Sequence, residues 1–419
     1  MESIIIILYN ILITVFFILV LPFFSAFAKR RRTVLKRLGL TGIKTDKNIS
    51  PVWIHALSVG ELTAVVPLID QLRNFYGKNE IVVSVTTKTG YVVANNLLKK
   101  KVGCVFFFPF DLIFSVKQVL KKINPALIVI NETDIWPNFL SIVKKKGISI
   151  ILINAKLSRT FFKFKFFFKK LFLNFDVICV ESKKHKKFFQ LLGYPEERLV
   201  ITGNTKFDFN APLFDLKRIE ALKAEIGINT NQKIITAGST HKGEEVIIKE
   251  AFFKLKTEIK DLVLIIAPRN PLRGYELLKL FKNFNTALLS KTKKITDSKD
   301  VIIIDKIGIL KKFYAICDLA FVGGSLINEG GHNPLEPAAY SKPVLTGVYT
   351  NDFKRLYETL IKSEGTKTVF DAEDFYKKAL SILKDPKKNE TMGKANNDVL
   401  NSNKGAAFNI SKVITQCNY

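Results

Sequence analysis

No C-x-x-C pair occurs in the chain, and its four cysteines, Cys104, Cys179, Cys317 and Cys417, stand apart from one another. Neither a zinc site nor a disulfide framework is indicated by that spacing. Thiols set in or beside apolar runs are expected to be reduced and mostly buried. No internal repeat of fixed period is visible, and no low-complexity linker divides the halves. Acidic residues are scarce: 37 Asp and Glu face 65 Lys and Arg, for a formal net charge of +28. The cations are spread along the chain rather than gathered in a tail. Such a balance implies an anionic partner, whether nucleic acid, an anionic membrane face or a phosphorylated substrate. A recognition-helix pattern and an aromatic RNP-like strand are both missing, which argues against a membrane-tethered nucleic-acid-binding protein.

Charge is absent altogether from residues 4–24, where Asn10 is the only strongly polar member. A run of that length is expected to span a bilayer core. Lys29, Arg30, Arg31 and Arg32 follow it, so the positive-inside tendency places the rest of the chain in the cytoplasm. Ala26, Phe27 and Ala28 resemble a small-residue cleavage site, but the basic n-region of a signal peptide is missing. Residues 1–28 are therefore expected to be an uncleaved transmembrane anchor.

With 419 residues, 47% of them hydrophobic, the chain can bury about two or three cores. Short apolar runs lie at 52–56, 81–86, 105–108, 126–130, 149–153, 177–180 and 199–202 in the first half. The second half repeats them at 233–237, 262–267, 286–289, 301–304, 319–322 and 343–346. Runs this short and apolar, separated by helix-length segments, predict parallel strands covered on both faces. The fold class is thus α/β, with two Rossmann-like doubly wound domains. Their boundary is expected near 210–228, giving domains at 29–215 and 216–419 and leaving room for the last helix to pack back on the first.

Ligands in such sheets bind beyond the carboxyl ends of the strands, and polar residues recur there. The stretch 318–339 is the most elaborate. An apolar run meets Gly323 and Gly324, then Gly330, Gly331, His332, Asn333, Pro334, Leu335 and Glu336. Asn333 reads as an N-cap with Pro334 at the first helical position. A helix N-terminus after a glycine-rich turn suits a phosphate, although Glu336 could simply close a capping box. The stretch 53–61 ends another strand, and Gly60 and Glu61 open the next helix. Glu61 reads either as a favourable charge at a helix N-terminus or as a general base. Further polar strand ends are 131–137 with Glu132 and Asp134, 154–159 with Lys156 and Arg159, 203–208 with Lys206, 237–245, and Pro268 with Arg269. In 161–170, lysines alternate with phenylalanines without segregating on a helical wheel, as a clean interfacial helix would require. Membrane or acyl-chain contact is the specific role that composition allows, beside ordinary surface cover.

Together, W-I-H-A-L-S-V-G-E, E-T-D-I-W-P-N, G-N-T-K-F-D, G-S-T-H-K-G-E-E, A-P-R and G-G-S-L-I-N-E-G-G-H-N-P-L-E-P resemble the 3-deoxy-D-manno-octulosonic acid (Kdo) transferases. The resemblance implies a membrane-anchored GT-B glycosyltransferase with a cleft between its domains. Such an enzyme moves Kdo from CMP-Kdo to the lipid A precursor with inversion and without a bound metal. It also implies an inner-membrane location with the body at the cytoplasmic face. By the same resemblance Glu61 is the base, and Glu132 and Lys206 stabilise the transition state. Pro268, Arg269, Ile307, Gly308, Ile309, Asn333, Pro334, Leu335 and Glu336 fall on CMP-contacting segments. Ile309 and Asn270 depart from the family, which commonly carries Glu and His there. A different membrane GT-B enzyme using a UDP-sugar is the nearest alternative.

Overall fold

The computed structural model describes residues 2–25, 28–46, 48–157, 161, 164–209, 211–212, 214–229, 231–291 and 297–416. It divides into two compact units, residues 1–208 with 403–419 and residues 209–402. Cys417 and the strand-end residues Ser158 and Arg159 lie outside the described residues, as do Phe162 and Lys163. Cys179 and Cys317 are buried and Cys104 is half-buried, none of them in a disulfide.

The first unit holds β1 (Val52–Ala56), β2 (Ile81–Val85), β3 (Cys104–Phe107), β4 (Leu127–Asn131), β5 (Ser149–Ala155), β6 (Val177–Val180) and β7 (Leu199–Ile201). They form one sheet in the order β3-β2-β1-β4-β5-β6-β7, and every pairing is parallel. Alternate residues of one strand feed opposite cores: Ile128, Ile130, Ile150 and Leu152 on one face, Leu127, Val129, Ile151 and Ile153 on the other. Helices cover both faces, which is why the runs read as continuously apolar rather than alternating.

The second unit is built the same way from β8 (Lys233–Thr240), β9 (Leu262–Pro268), β10 (Thr286–Leu288), β11 (Val301–Ile303), β12 (Leu319–Val322), β13 (Val344–Thr346) and β14 (Thr366–Thr368). Its order is β10-β11-β9-β8-β12-β13-β14, again parallel throughout. Each apolar run expected to be a strand forms one. The addition, β14, is a Thr-Lys-Thr edge strand with only Thr366 buried, and so carries no apolar signal.

Sheet order places the sites. In the first unit the chain runs outward from β1 through β2 to β3 and then returns to β4 on the other side of β1. The second unit reverses likewise between β8 and β12. Crevices of doubly wound sheets open at these switch points. Glu61 follows β1 and Glu132 follows β4; His241 follows β8, and Gly323 and Gly324 follow β12.

The expected transmembrane anchor needs correction. Residues Glu2–Ser25 are helical, yet among the described residues no helix is long and apolar enough to cross a membrane. The helix is instead docked on the first unit by polar atoms. The Tyr9 hydroxyl donates to Asp111 Oδ2 at 2.7 Å, and Asn138 Nδ2 donates to Asn10 Oδ1 at 2.6 Å. Phe17 also packs edge-on against Phe110, centroids 4.6 Å apart. The single-pass inner-membrane location, and the cytoplasmic-face arrangement of partners, rested on that span and fall with it.

In 161–170, Phe161 packs against Phe168 at 4.7 Å and Phe172 at 6.2 Å, whereas Phe164 and Phe166 are exposed. At the other end of the chain, helix Ala406–Gln416 buries Ala407, Ile410 and Ile414 in the first unit's core. Asp208 holds its start by accepting from the backbone N–H groups of Gly405 and Ala407.

Candidate active site

In the first unit, helix Val59–Leu72 begins directly beyond β1 and buries Leu62, Ala64, Val65, Leu68, Ile69 and Leu72. Ser58 caps it, its hydroxyl accepting from Glu61 N at 3.3 Å. The Glu61 carboxylate turns back and accepts from Leu57 N at 2.9 Å. Burial pushes this carboxyl up to about 7; the Glu132 and Asp134 charges add to the rise, while the Leu57 N–H and Lys206 oppose it. A carboxyl poised near neutrality suits proton uptake from a hydroxyl.

Glu132 has the opposite character. It stands in the left-handed region at φ 59°, uncommon for a residue with a Cβ. Its carboxylate is divided between two ammonium groups, Lys206 Nζ on Oε1 at 2.6 Å and Lys156 Nζ on Oε2 at 2.7 Å. Burial alone would raise its pKa, but the two lysine charges outweigh it and hold the carboxyl below its ordinary range. Carboxyls whose surroundings push their acidities in opposite directions are suited to acid–base work on one side and electrostatic work on the other.

Buried polar side chains support both groups. Asn154 donates from Nδ2 to Asn131 Oδ1 and to Thr205 Oγ1, each at 2.7 Å, and its Oδ1 accepts from Thr205 N at 2.9 Å. That network ties the ends of β4 and β5 to the turn carrying Lys206. Trp53 and His55 point to one face of β1, and both reach Ser84 of β2: Trp53 Nε1 donates to Ser84 Oγ at 2.7 Å, and His55 Nδ1 lies 2.9 Å from it. His55 Nε2 then meets Asp134 Oδ2 at 2.9 Å. The spacing W-I-H therefore supports the acid-rich turn after β4.

The second unit clamps its glycine-rich turn with one carboxylate. Fully buried Glu244 accepts from His241 N, Gly324 N, Ser325 N and Leu326 N at 2.8–2.9 Å. A Cβ on Gly323 would lie 2.6 Å from Ser239 O, so only glycine lets the turn close here. Glu244→Ala is expected to cost at least about 3 kcal/mol, because each stranded buried donor costs roughly 1–3 kcal/mol. Urea unfolding with a probe in residues 209–402 checks this. Next to it, buried Glu245 accepts from Thr240 Oγ1 at 3.1 Å and from Arg273 Nη1 at 2.7 Å. Arg269 N donates to Thr240 O at 2.9 Å, so the turn after β9 is fastened to the end of β8 at both its ends.

His241 and His332 meet Nε2 to Nε2 at 2.8 Å, which requires one ring to donate and the other to accept. Burial, then the Arg269 and His241 charges, push His332 down to about 4, so His332 is neutral near pH 7. Arg269 is exposed at the end of β9, where Pro268 is the last strand residue. Burial raises the Glu336 pKa, and the Lys311 and Arg269 charges offset only part of that rise. Ile307 is 87% exposed, Gly308 turns at φ 86°, and Ile309 packs on the core around Phe313. An apolar side chain at 309 thus has a packing role. The helix expected at Asn333 is short. It spans four residues, Leu335–Ala338, with Pro334 preceding rather than opening it, and Asn333 Oδ1 accepts from Leu335 N at 3.1 Å. So small a helix contributes little dipole.

Among the described residues, no group of three or more His, Cys, Asp or Glu is placed to hold a metal ion. Sequence reasoning assigned no role to Asn154, Glu244, Glu245 or the His241–His332 pair. Their signal lay in N-A-K and G-S-T-H-K-G-E-E, where more polar residues stand than a turn requires.

Two parallel doubly wound sheets, each with a polar cluster at its switch point, make a GT-B-like fold. Residues 32–209 match the family described as 3-Deoxy-D-manno-octulosonic-acid transferase (kdotransferase). The 3-deoxy-D-manno-octulosonic acid transferase of Haemophilus influenzae is 33% identical over 386 residues, covering 90% of this chain and 89% of that one. The enzyme of the same name from Chlamydophila psittaci is 30% identical over 340 residues, 80% of this chain and 77% of its own. The chain belongs to the Kdo transferase family. Among solved structures, the UDP-GlcNAc 2-epimerase of Neisseria meningitidis bound to UDP-GlcNAc aligns with a TM-score of 0.59 at 14% identity, over 88% of this chain and 98% of that one. At that identity the likeness shows the fold alone.

Proposed function

We infer that this protein transfers Kdo from CMP-Kdo to a lipid A precursor. It is a CMP-Kdo-dependent glycosyltransferase of lipopolysaccharide biosynthesis. The observation that carries the mechanism is the contrast between Glu61, raised to about 7, and Glu132, held ionised by two lysines. An acceptor hydroxyl oxygen bonds to the anomeric carbon of Kdo as the bond from that carbon to the phosphate oxygen of CMP breaks. The hydroxyl proton passes to Glu61. Lys206, fixed by Glu132, offsets negative charge gathering on the departing nucleotide or the Kdo carboxylate, as preorganised charge does. In the second unit, Arg269 takes the CMP phosphate, the 307–309 turn and Asn333, Pro334 and Leu335 line the nucleotide, and Glu336 accepts from the ribose hydroxyls.

Incubation with CMP-Kdo and the tetra-acylated disaccharide bisphosphate, followed by mass spectrometry, tests the reaction. A product heavier by Kdo, with release of CMP, is expected; turnover of a UDP-sugar instead would overturn the reading. Arg269→Ala is expected to weaken CMP binding by about 1.5–3 kcal/mol, the worth of a hydrogen bond to a charged group. Calorimetry giving unchanged affinity would move the phosphate elsewhere. Glu336→Gln is expected to weaken CMP more than 2′-deoxy-CMP, and equal losses would remove Glu336 from the ribose.

A further inference from the structure

We propose that Lys156 is a positioning residue for the transfer reaction: its ammonium takes the Glu132 oxygen that Lys206 does not, and so adds a second positive charge to the cluster of charges that surrounds Glu61. The proposal rests on the reading of Glu61 as the base. Geometry carries it. Lys156 lies at the end of β5, one strand from Glu132 in the sheet, and Nζ to Oε2 is 2.7 Å. Its backbone carbonyl accepts from Thr133 Oγ1 at 2.6 Å, so the residue is fastened to the same turn through main chain and side chain alike. Neighbouring Asn154 is buried and fully bonded, which fixes the direction in which the strand end delivers Lys156.

The arithmetic of charge explains why one lysine is insufficient. Glu61, Glu132 and Asp134 bring three carboxyl groups to this strand edge, and ionising Glu61 as well as the others is opposed by their repulsion. Lys206 alone would neutralise Glu132 and leave little positive field for Glu61. Adding Lys156 brings two positive charges against Glu132 and Asp134, so proton loss from Glu61 becomes easier. The groups acting on Glu61 are Glu132 and Asp134 beyond β4, Lys206 from the turn after β7 and Lys156 beyond β5; Asp134 is itself bonded to His55 of β1. Those facing Lys156 are Glu132, Glu181 beyond β6, and Glu61.

Removing the Lys156 charge leaves Glu61 harder to ionise, so its pKa rises and the acid limb of the rate profile moves to higher pH. A side chain that only packs would not move that limb. The full-length chain is compared with Lys156→Met, Lys156→Arg and Glu61→Gln, with transfer rates measured from pH 5.5 to 9.5. Thermal midpoint and CMP affinity are measured on the same preparations. Lys156→Met is expected to shift the limb up by about half to one unit, which is ~3–10-fold in rate below the limb. Its loss should be smaller at high pH and its CMP affinity unchanged. Lys156→Arg, keeping the charge, is expected to hold the limb near the wild-type position. An inactive Glu61→Gln together with an unmoved limb in Lys156→Met overturns this proposal alone. So does an equal loss at every pH. If Glu61→Gln transfers Kdo within a few-fold of wild type, the base assignment falls and this proposal falls with it.

Discussion

Glu61→Gln is expected to lower Kdo transfer by roughly 10²–10⁴-fold, the usual worth of general-base catalysis, in a protein at least as stable as wild type above pH 7. Glutamine keeps the length of the side chain and an oxygen to accept from Leu57 N, so the helix start survives. What it lacks is basicity. The stability expectation follows from the direction of the shift. A carboxyl whose folded pKa is raised favours folding most below its unfolded pKa, and that contribution is lost as pH rises through about 7. Glutamine never ionises and so escapes the loss. In the wild type, transfer should fall as pH drops below about 7, because the protonated acid takes up no further proton. Thermal midpoint, CMP affinity and rate measured on one preparation separate base from cap. A cap would show a loss of about 1 kcal/mol in stability with turnover nearly intact, and a folded variant transferring within a few-fold of wild type would sink the assignment.

Lys206→Ala comes next in size. The expected loss is about 10²–10³ in rate, comparable to removing one preorganised donor from a transition state. Two effects combine. The positive charge proposed to stabilise the transition state disappears, and Glu132 keeps only Lys156. Because Lys206 also opposes the rise of Glu61, its removal should carry the acid limb upward, in the same direction as Lys156→Met. The rate at high pH distinguishes them: it should stay low in Lys206→Ala and recover in Lys156→Met. Full recovery in Lys206→Ala would reduce Lys206 to a partner of Glu132 without a role in the transition state.

Much of the architecture was legible because parallel strands covered on both faces leave uninterrupted apolar runs. The runs at 149–153 and 262–267 needed no partner to be recognised. β14 escaped for the converse reason, since Thr366–Thr368 joins the sheet by backbone bonds and buries only one side chain. The uncharged run at 4–24 misled because hydropathy does not register what two polar atoms will bond to. Tyr9 and Asn10 find Asp111 and Asn138, 102 and 128 positions along the chain.

The sequence by itself determined the strand runs, the polar turns at their carboxyl ends and the order of motifs, because each depends on neighbouring residues alone. Tertiary structure decided which turns meet. β1 and β4 are adjacent only because the sheet reverses between them, and that adjacency brings Glu132 into the electrostatic surroundings of Glu61. Lys156 and Lys206 share one carboxylate from positions 24 and 74 residues away from it. His241 and His332 touch across 91 residues. The shifted acidities were likewise invisible beforehand, since burial and the distance to other charges set them, and neither exists until the strands have taken their places.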